Sequence, residues 1–427
     1  MRLAGTFHRD LLIGLALRGA GGVASFALTW LIARIYGPGE VGLFHLGLAT
    51  ALLAGTIVSA GLDIVLVRAM GKLLAEGRWD DIRSTYLRCR SAMLWFGVPA
   101  AILMLALAEP LADVVLDEPR AAPFIMLFAP LAILAPLTKL GNALLRSAGR
   151  VIASQMLEGV AYSTVACIAL GIAWLLFGNP DPVLPAIAYV VGLGVVFGVN
   201  RVLTKRLLRD APGGGTSAVS AADGLRIAAM QTVTAAGTWA VLALVTERLD
   251  IVDAGLFRTA FQVCMVLQLV NAAFAVMAGP HMSKAVAASD RTALLRQVLS
   301  GGALGGTLAL PFLLAMLLFA PEILRLFGPE FVRAAPTLRV LVAAPLLDIA
   351  FGLTGVALLM MRSERFVLWH EIAANAAGLS VILALLSQFG LVAAALGVAT
   401  TALLRAILNA TRFAIVLRGG LASATDE

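Results

Sequence analysis

Twelve apolar stretches run through this chain, each close to the ~20 residues an α-helix needs to cross about 30 Å of hydrocarbon. They fall at roughly 11–33, 42–66, 91–112, 121–144, 152–177, 183–204, 225–246, 254–279, 299–320, 335–360, 367–388 and 391–415. Composition agrees: 60% of residues are hydrophobic and 13% charged, with a mean hydropathy of +0.95. A water-soluble domain has no use for that much apolar surface, and the runs leave no room for a large soluble domain.

The chain also repeats itself. Gly42-Leu43-Phe44 returns as Gly255-Leu256-Phe257, and Ala121-Ala122-Pro123 as Ala334-Ala335-Pro336, both 213 residues later in a chain of 427. The same register aligns Arg78 with Arg291 and Arg83 with Arg296. A duplicated unit of six spans has an even number of crossings, so both copies enter the membrane from one side. The repeat is then parallel, about an axis along the membrane normal. The expected fold is an all-α polytopic membrane protein of about twelve transmembrane helices in two six-helix lobes, 1–210 and 225–427. A cytoplasmic linker, 211–224, joins them. The run from Lys205 through Asp210-Ala211-Pro212-Gly213-Gly214-Gly215-Thr216-Ser217 reads as a flexible connection. Two such lobes around a central cleft are the architecture of a transporter.

The net charge of +7 has a topological cause. With both termini cytoplasmic, most lysines and arginines fall on the inner side. The loop after the second span alone carries Arg68, Lys72, Arg78, Arg83, Arg88 and Arg90. The outer side carries acids such as Glu109, Asp113, Asp117 and Glu118. This is the positive-inside pattern, and it accounts for the charge without nucleic acid. The first apolar run continues past Arg18 for a full span, so it reads as a retained helix and not a cleaved signal. Cys89, Cys167 and Cys264 show neither metal-ligand nor disulfide spacing.

Polar groups within the spans mark the candidate site. Gly14, Arg18, Gly22, Ser25 and Thr29 share one face of the first span. Thr56, Ser59 and Asp63 share a face of the second, with His45 near the same line. Gln231, Thr234 and Thr238 form a stripe on the seventh, and Arg258 and Gln262 stand one turn apart on the eighth. These spans are equivalent pairs under the repeat, so their stripes suggest one common cavity. Helix packing is the alternative for the small residues, and a satisfied structural role for His45. Charge at midspan costs roughly 2.5–3.5 kcal/mol on the insertion scale, so the charged members need a reason. Arg18 either snorkels to the headgroups or faces a wet cavity. Arg258 is either an interfacial anchor or a cavity group, and Asp63 has Arg68 within local reach. Asp348 is the deepest acid and the leading candidate for ion or proton coupling, with Asp63 second. Glu158, Lys139, Arg339 and the pair His370-Glu371 are weaker candidates near span ends.

Catalytic signatures are missing from the sequence. Gly71-Lys72 is followed by Leu73 and lacks the upstream glycine of a phosphate loop. No H-E-x-x-H, paired C-x-x-C or G-x-S-x-G occurs. Gly19-Ala20-Gly21-Gly22 lies inside a membrane helix, where a dinucleotide fingerprint has no strand to follow. The expectation is a non-enzyme with no cofactor, no metal and no use of ATP.

Ala33-Arg34-Ile35-Tyr36-Gly37-Pro38, Gly42-Leu43-Phe44, Gly61-Leu62 and Arg68 together resemble the start of bacterial polysaccharide flippases. These belong to the multidrug/oligosaccharidyl-lipid/polysaccharide exporter superfamily. Val252-Asp253-Ala254-Gly255-Leu256-Phe257 with Gly279-Pro280 resembles that family's eighth span, and Leu326-Phe327-Gly328-Pro329-Glu330-Phe331 its ninth-to-tenth connection. Departures are a short chain, few lysines, and Phe at 44 and 257 where Tyr is common. The resemblance implies a bacterial inner-membrane protein that moves a polyprenyl-pyrophosphate-linked oligosaccharide, an O-antigen or capsule unit, to the outer leaflet. Its partners would be that substrate, the phospholipid bilayer and other polysaccharide-assembly proteins. Related lipid II flippases line the cavity with arginines of the first and eighth helices, which makes Arg18 and Arg258 the expected headgroup ligands. Ser25, His45, Asp63, Gln231 and Gln262 complete the expected cavity set. Guanidinium suits pyrophosphate because its planar donors bond two oxygens at once. The nearest rival is a multidrug antiporter of the same superfamily, holding cationic drugs with Asp63, Glu158 and Asp348. A membrane polymerase or ligase would want larger outer loops, and a scaffold of glycan assembly would make the cavity residues silent.

Overall fold

The computed structural model describes residues 2–178, 181–209, 211, 214–216, 224–288, 290–361 and 363–419. The side chains of 2–15, 18, 72, 75, 159, 226, 269–281, 283, 284, 287, 360, 364 and 419 lie outside that description. The chain divides into two compact units, Met1–Trp239 and Ala240–Glu427. The first holds α1 (Arg2–Tyr36), α2 (Pro38–Ser59), α3 (Leu62–Ala75), α4 (Trp79–Pro110), α5 (Ala121–Phe128), α6 (Leu131–Ser147), α7 (Val151–Gln155), α8 (Ala161–Phe177) and α9 (Leu184–Leu207). The division falls inside α10 (Leu225–Arg248). The second unit continues with α11 (Ile251–Ala287), α12 (Arg291–Leu318), α13 (Ala320–Arg325), α14 (Ala335–Leu341), α15 (Ala343–Met360), α16 (Glu364–Phe389) and α17 (Leu391–Gly419). The fold is all-α. Among the described residues ten helices are long and apolar enough to cross a membrane, or eleven counting the bent stretch of α7 and α8 as one.

Helix ends follow local chemistry. Pro38 opens α2, where its missing N–H costs nothing, behind Gly37 at a φ of 83°. Ala60 and Gly61, at φ 45° and 67°, end that helix. The second span therefore stops at Ser59, short of the expected 66, and Asp63 begins a separate helix, α3. The fourth span is also in two pieces, α5 and α6, on either side of Ala129-Pro130. The tenth breaks in the corresponding place, between α14 and α15 at Val342. In the fifth, a π-helical stretch, Met156–Val160, separates α7 from α8. Periodicity alone runs each of these together as one helix.

The repeat register is physical. α2 begins at Pro38 and α11 at Ile251, 213 residues apart. Leu43 and Phe44 are buried, and so are Leu256 and Phe257. Ala121 and Ala122 are buried, as are Ala334 and Ala335. In the first unit Phe44 meets Phe128 and Tyr189 edge to face, with ring centroids 5.3 and 5.9 Å away. Gly47 admits this packing, because a Cβ there would lie 2.9 Å from Phe124 and Phe128. In the second unit α16 and α17 approach closely through Gly378 and Gly397, where a Cβ on Gly397 would lie 2.7 Å from the Gly378 carbonyl. Trp95, Phe96, Leu175 and Phe177 point outward from α4 and α8, as faces solvated by lipid do.

The described part of the expected linker is fastened to α4. Asp81 accepts hydrogen bonds from the Thr216 backbone N–H at 2.6 Å and hydroxyl at 3.3 Å. Arg83 donates to the Ala211 carbonyl and Ser84 to that of Thr216. Small residues leave the backbone free to bond outward, and α4 takes those bonds.

Candidate functional site

The second unit contains a charged cluster between its helices. Asp348 lies in the interior of α15, Glu371 two turns into α16, and Arg405 at the centre of α17. The Arg405 guanidinium reaches Asp348 Oδ1 at 3.1 Å and Glu371 Oε1 at 3.5 Å. Gln268 of α11 donates from Nε2 to Asp348 Oδ2 at 2.8 Å. Asn375, one turn beyond Glu371, donates to the Glu371 carbonyl at 2.8 Å, and its Nδ2 stands 3.5 Å from Oε2. Side-chain exposure is 27% for Arg405, 20% for Asp348 and 12% for Glu371. Two carboxylates and one guanidinium leave a formal charge of −1 on the trio. Bringing charges together in a low-dielectric region offsets desolvation only where the remaining lone pairs find donors, and Gln268 and Asn375 supply them.

His370, next in sequence to Glu371, faces elsewhere. Its Nδ1 lies 3.2 Å from Asn409 Oδ1, its ring meets Phe366 edge-on, and Arg412 stands 4.9 Å over Phe366. Adjacent residues on a helix point about 100° apart, so the expected pair is split between two environments.

The other expected site residues fall into smaller groups. Arg18 is on α1, and its side chain lies outside the described residues. Thr29 donates to the Ser25 carbonyl, and its Oγ1 also lies 3.2 Å from buried His45 Nε2. These three tie α1 to α2. Asp63 accepts from the Ser59 hydroxyl at 3.3 Å across the α2–α3 break. Gln231 is half-buried on α10. Arg258 donates to Gln262 Oε1 at 3.0 Å and lies 5.5 Å over the Phe261 ring. Asp348 joins Arg405, Gln268 and, through Arg405, Glu371. Of the weaker candidates, Glu158 pairs with Arg146, Arg339 donates to the Leu317 carbonyl, and Lys139 is exposed. The first unit also holds a neutral amide network, in which Asn200 donates to Asn142 Oδ1 at 2.7 Å and lies 3.4 Å from the Thr138 carbonyl.

Sequence reasoning missed Arg405, Gln268 and Asn375, together with Trp239, whose indole donates to Thr50 at 2.9 Å. The signal for Arg405 was present. It is flanked by Leu403-Leu404 and Ala406 at the middle of a 29-residue helix. The midspan cost that singled out Asp348 applies to it equally, yet it was not singled out within the 391–415 span.

Residues 23–174 match the family model MatE. No curated protein matches the chain in sequence. Several solved structures share its fold along nearly its whole length. An inward-facing multidrug resistance MATE family transporter of the MOP superfamily is 16% identical with a TM-score of 0.78, covering 95% of this chain and 96% of that one. The lipid II flippase MurJ, inward closed, is 10% identical with a TM-score of 0.74, covering 94% and 87%. A MOP superfamily transporter from Pyrococcus furiosus, described by the reverse polarity of its binding pocket, is 15% identical with a TM-score of 0.68, covering 96% and 94%. The chain thus has the fold of MOP-superfamily membrane transporters, and the proteins it resembles are transporters, not enzymes.

Proposed function

We propose that this protein is a flippase moving a polyprenyl-pyrophosphate-linked oligosaccharide from the inner to the outer leaflet of a bacterial cytoplasmic membrane, by alternating access of two lobes, 1–210 and 225–427. The observation that carries this reading is the commitment of the acids within the spans. Asp348 and Glu371 share the one guanidinium of Arg405, and Glu158 pairs with Arg146. A site for cationic drugs needs carboxylates open to the cation, and two of the three acids named for that role already contact a guanidinium. An anionic headgroup asks instead for cationic and neutral donors, which Arg258 with Gln262 on α11 supplies. The likeness of the fold to MurJ supports a lipid-linked substrate. In this reading Arg18 and Arg258 hold the pyrophosphate, with Ser25, His45, Asp63, Gln231 and Gln262 nearby. Asp348 is the coupling element, Asp63 a second one, and both termini are cytoplasmic.

The multidrug reading keeps its own support in the MatE match and the MATE neighbour. Deletion separates the two. Flipping predicts lipid-linked sugar accumulating on the inner leaflet with drug susceptibility unchanged. Raised drug susceptibility without that accumulation would overturn the proposal. Arg258→Gln, at equal protein level, is expected to lower flipping roughly tenfold or more, the scale of one lost charge-assisted contact. Unchanged flipping would remove Arg258 from the site.

A further inference from the structure

We propose that Arg405 is a built-in counter-ion: its guanidinium fills the position a monovalent metal cation would take between Asp348 and Glu371, so that the cluster works without a dissolved metal ion. The proposal rests on the exporter reading only in treating this cluster as the coupling element.

Each of the four carboxylate oxygens has an N–H donor before it. Asp348 Oδ1 faces Arg405, and Oδ2 faces Gln268. Glu371 Oε1 faces Arg405, and Oε2 lies 3.5 Å from Asn375 Nδ2. A site for an alkali cation is built the other way, from carboxylate, carbonyl and amide oxygens that converge on a common point. Here donors and not acceptors point inward, and the positive charge is covalently attached to α17.

Charge and permanence follow from the chemistry of guanidinium. It stays protonated at any physiological pH, so its positive charge cannot leave as a proton. Its planar fork contacts carboxylates on two helices at once, tying α15 and α16 to α17. A solvated ion would bind and leave; this one can move only with its helix. Removing the side chain would leave two uncompensated carboxylates within the spans, with Asp348 Oδ1 and Glu371 Oε1, the oxygens that face Arg405, stripped of their donor. Those two oxygens could then accept a small hard cation, for which Na⁺ is the probe.

The test reads cation dependence of the purified full-length protein, without any lipid-linked substrate, so it fails or succeeds separately from the choice of cargo. Thermal unfolding and binding of radioactive Na⁺ are followed in sodium and in choline chloride. The wild type and Arg405→Lys are expected to unfold at the same midpoint in both salts. Arg405→Ala is expected to unfold earlier in choline and to recover, saturably, with Na⁺ or with methylguanidinium. Its Na⁺ affinity should exceed that of the wild type by roughly tenfold or more, the response expected when a ligand binds only the folded form. Adding Asp348→Asn to Arg405→Ala should abolish that response.

Three results would overturn the proposal. One is saturable Na⁺ binding to the wild type that Asp348→Asn removes. Another is an Arg405→Ala protein that folds and is indifferent to Na⁺ and methylguanidinium. The third is an Arg405→Ala protein that fails to fold in choline, sodium and methylguanidinium alike, since no cation would then replace the missing group.

Discussion

Glu158 and Glu371 stand 213 residues apart, each seven residues past the start of its span, yet they have different partners. Glu158 pairs with Arg146 of the neighbouring α6, on a side chain 35% exposed. Glu371 pairs with Arg405 of α17, is 12% exposed, and shares its guanidinium with Asp348. The backbone differs as well. Glu158 sits in a π-helical stretch, whereas α16 is a regular helix through Glu371. A π turn takes in one extra residue and so rotates the rest of the helix by about 100°. The same acid in the same register is thereby offered to a different neighbour. Duplication copied the residue, and the local winding and the partner helix decided its use. The first unit came to hold a neutral amide network and a half-exposed ion pair, and the second a charged cluster deep in its spans.

Paired substitutions in the two units break or sharpen this contrast. The largest effect is expected at Gly141, where an added Cβ would strike the Asn200 side chain. Gly141→Ala should cost about 2–3 kcal/mol by overpacking. In the second unit Gly355 also faces an asparagine, with Asn409 Nδ2 3.2 Å from an added Cβ. Gly355→Ala should cost less than about 1 kcal/mol, since a side-chain end can give way. Equal losses in thermal unfolding would mean that the amide network and the second unit's Asn409 contact are equivalent after all.

A second contrast is the break after α2. Gly61 has a φ of 67°, and a Cβ there would lie 2.8 Å from the Gly224 carbonyl. Its repeat equivalent is Phe274, inside the unbroken α11. Gly61→Ala should cost about 1–2 kcal/mol through the left-handed backbone and the close approach. A neutral outcome in chemical unfolding would show that the break does not depend on the glycine.

The smallest effects test the acids themselves. Glu371→Gln should cost about 1 kcal/mol, because Arg405 loses one of its two carboxylates but keeps Asp348. Glu158→Gln should stay below about 0.5 kcal/mol, as expected for a solvent-screened pair. The reverse order in paired melting curves would place the more important ion pair in the first unit.

Much of the fold was legible in residues. The span lengths and the 213-residue register follow from hydropathy and the repeated residues, whereas hydropathy carries the second span through Gly61 to 66 and does not foresee its stop at Ser59. The breaks at Ala129-Pro130 and Val342 were harder to see, because both lie inside apolar runs with no polar punctuation. The site was legible only in part. Asp348 stood out because an acid in midspan is costly. Gln268 and Asn375 did not, since uncharged amides in a helix carry no comparable penalty and have many ordinary uses. His370 and Glu371 read as a pair because they are adjacent, and the helix turns them apart.

Sequence by itself determined that this chain is a duplicated set of membrane-length helices, because hydrocarbon selects apolar runs of one length and each run forms its hydrogen bonds internally. It also determined that a buried acid must find a partner. Only tertiary packing decided which one. Asp348 and Arg405 are 57 residues apart and meet because α15 and α17 pack with particular faces inward. Between helices in lipid that choice depends on close steric fit and interhelical hydrogen bonds rather than on a hydrophobic drive written into composition.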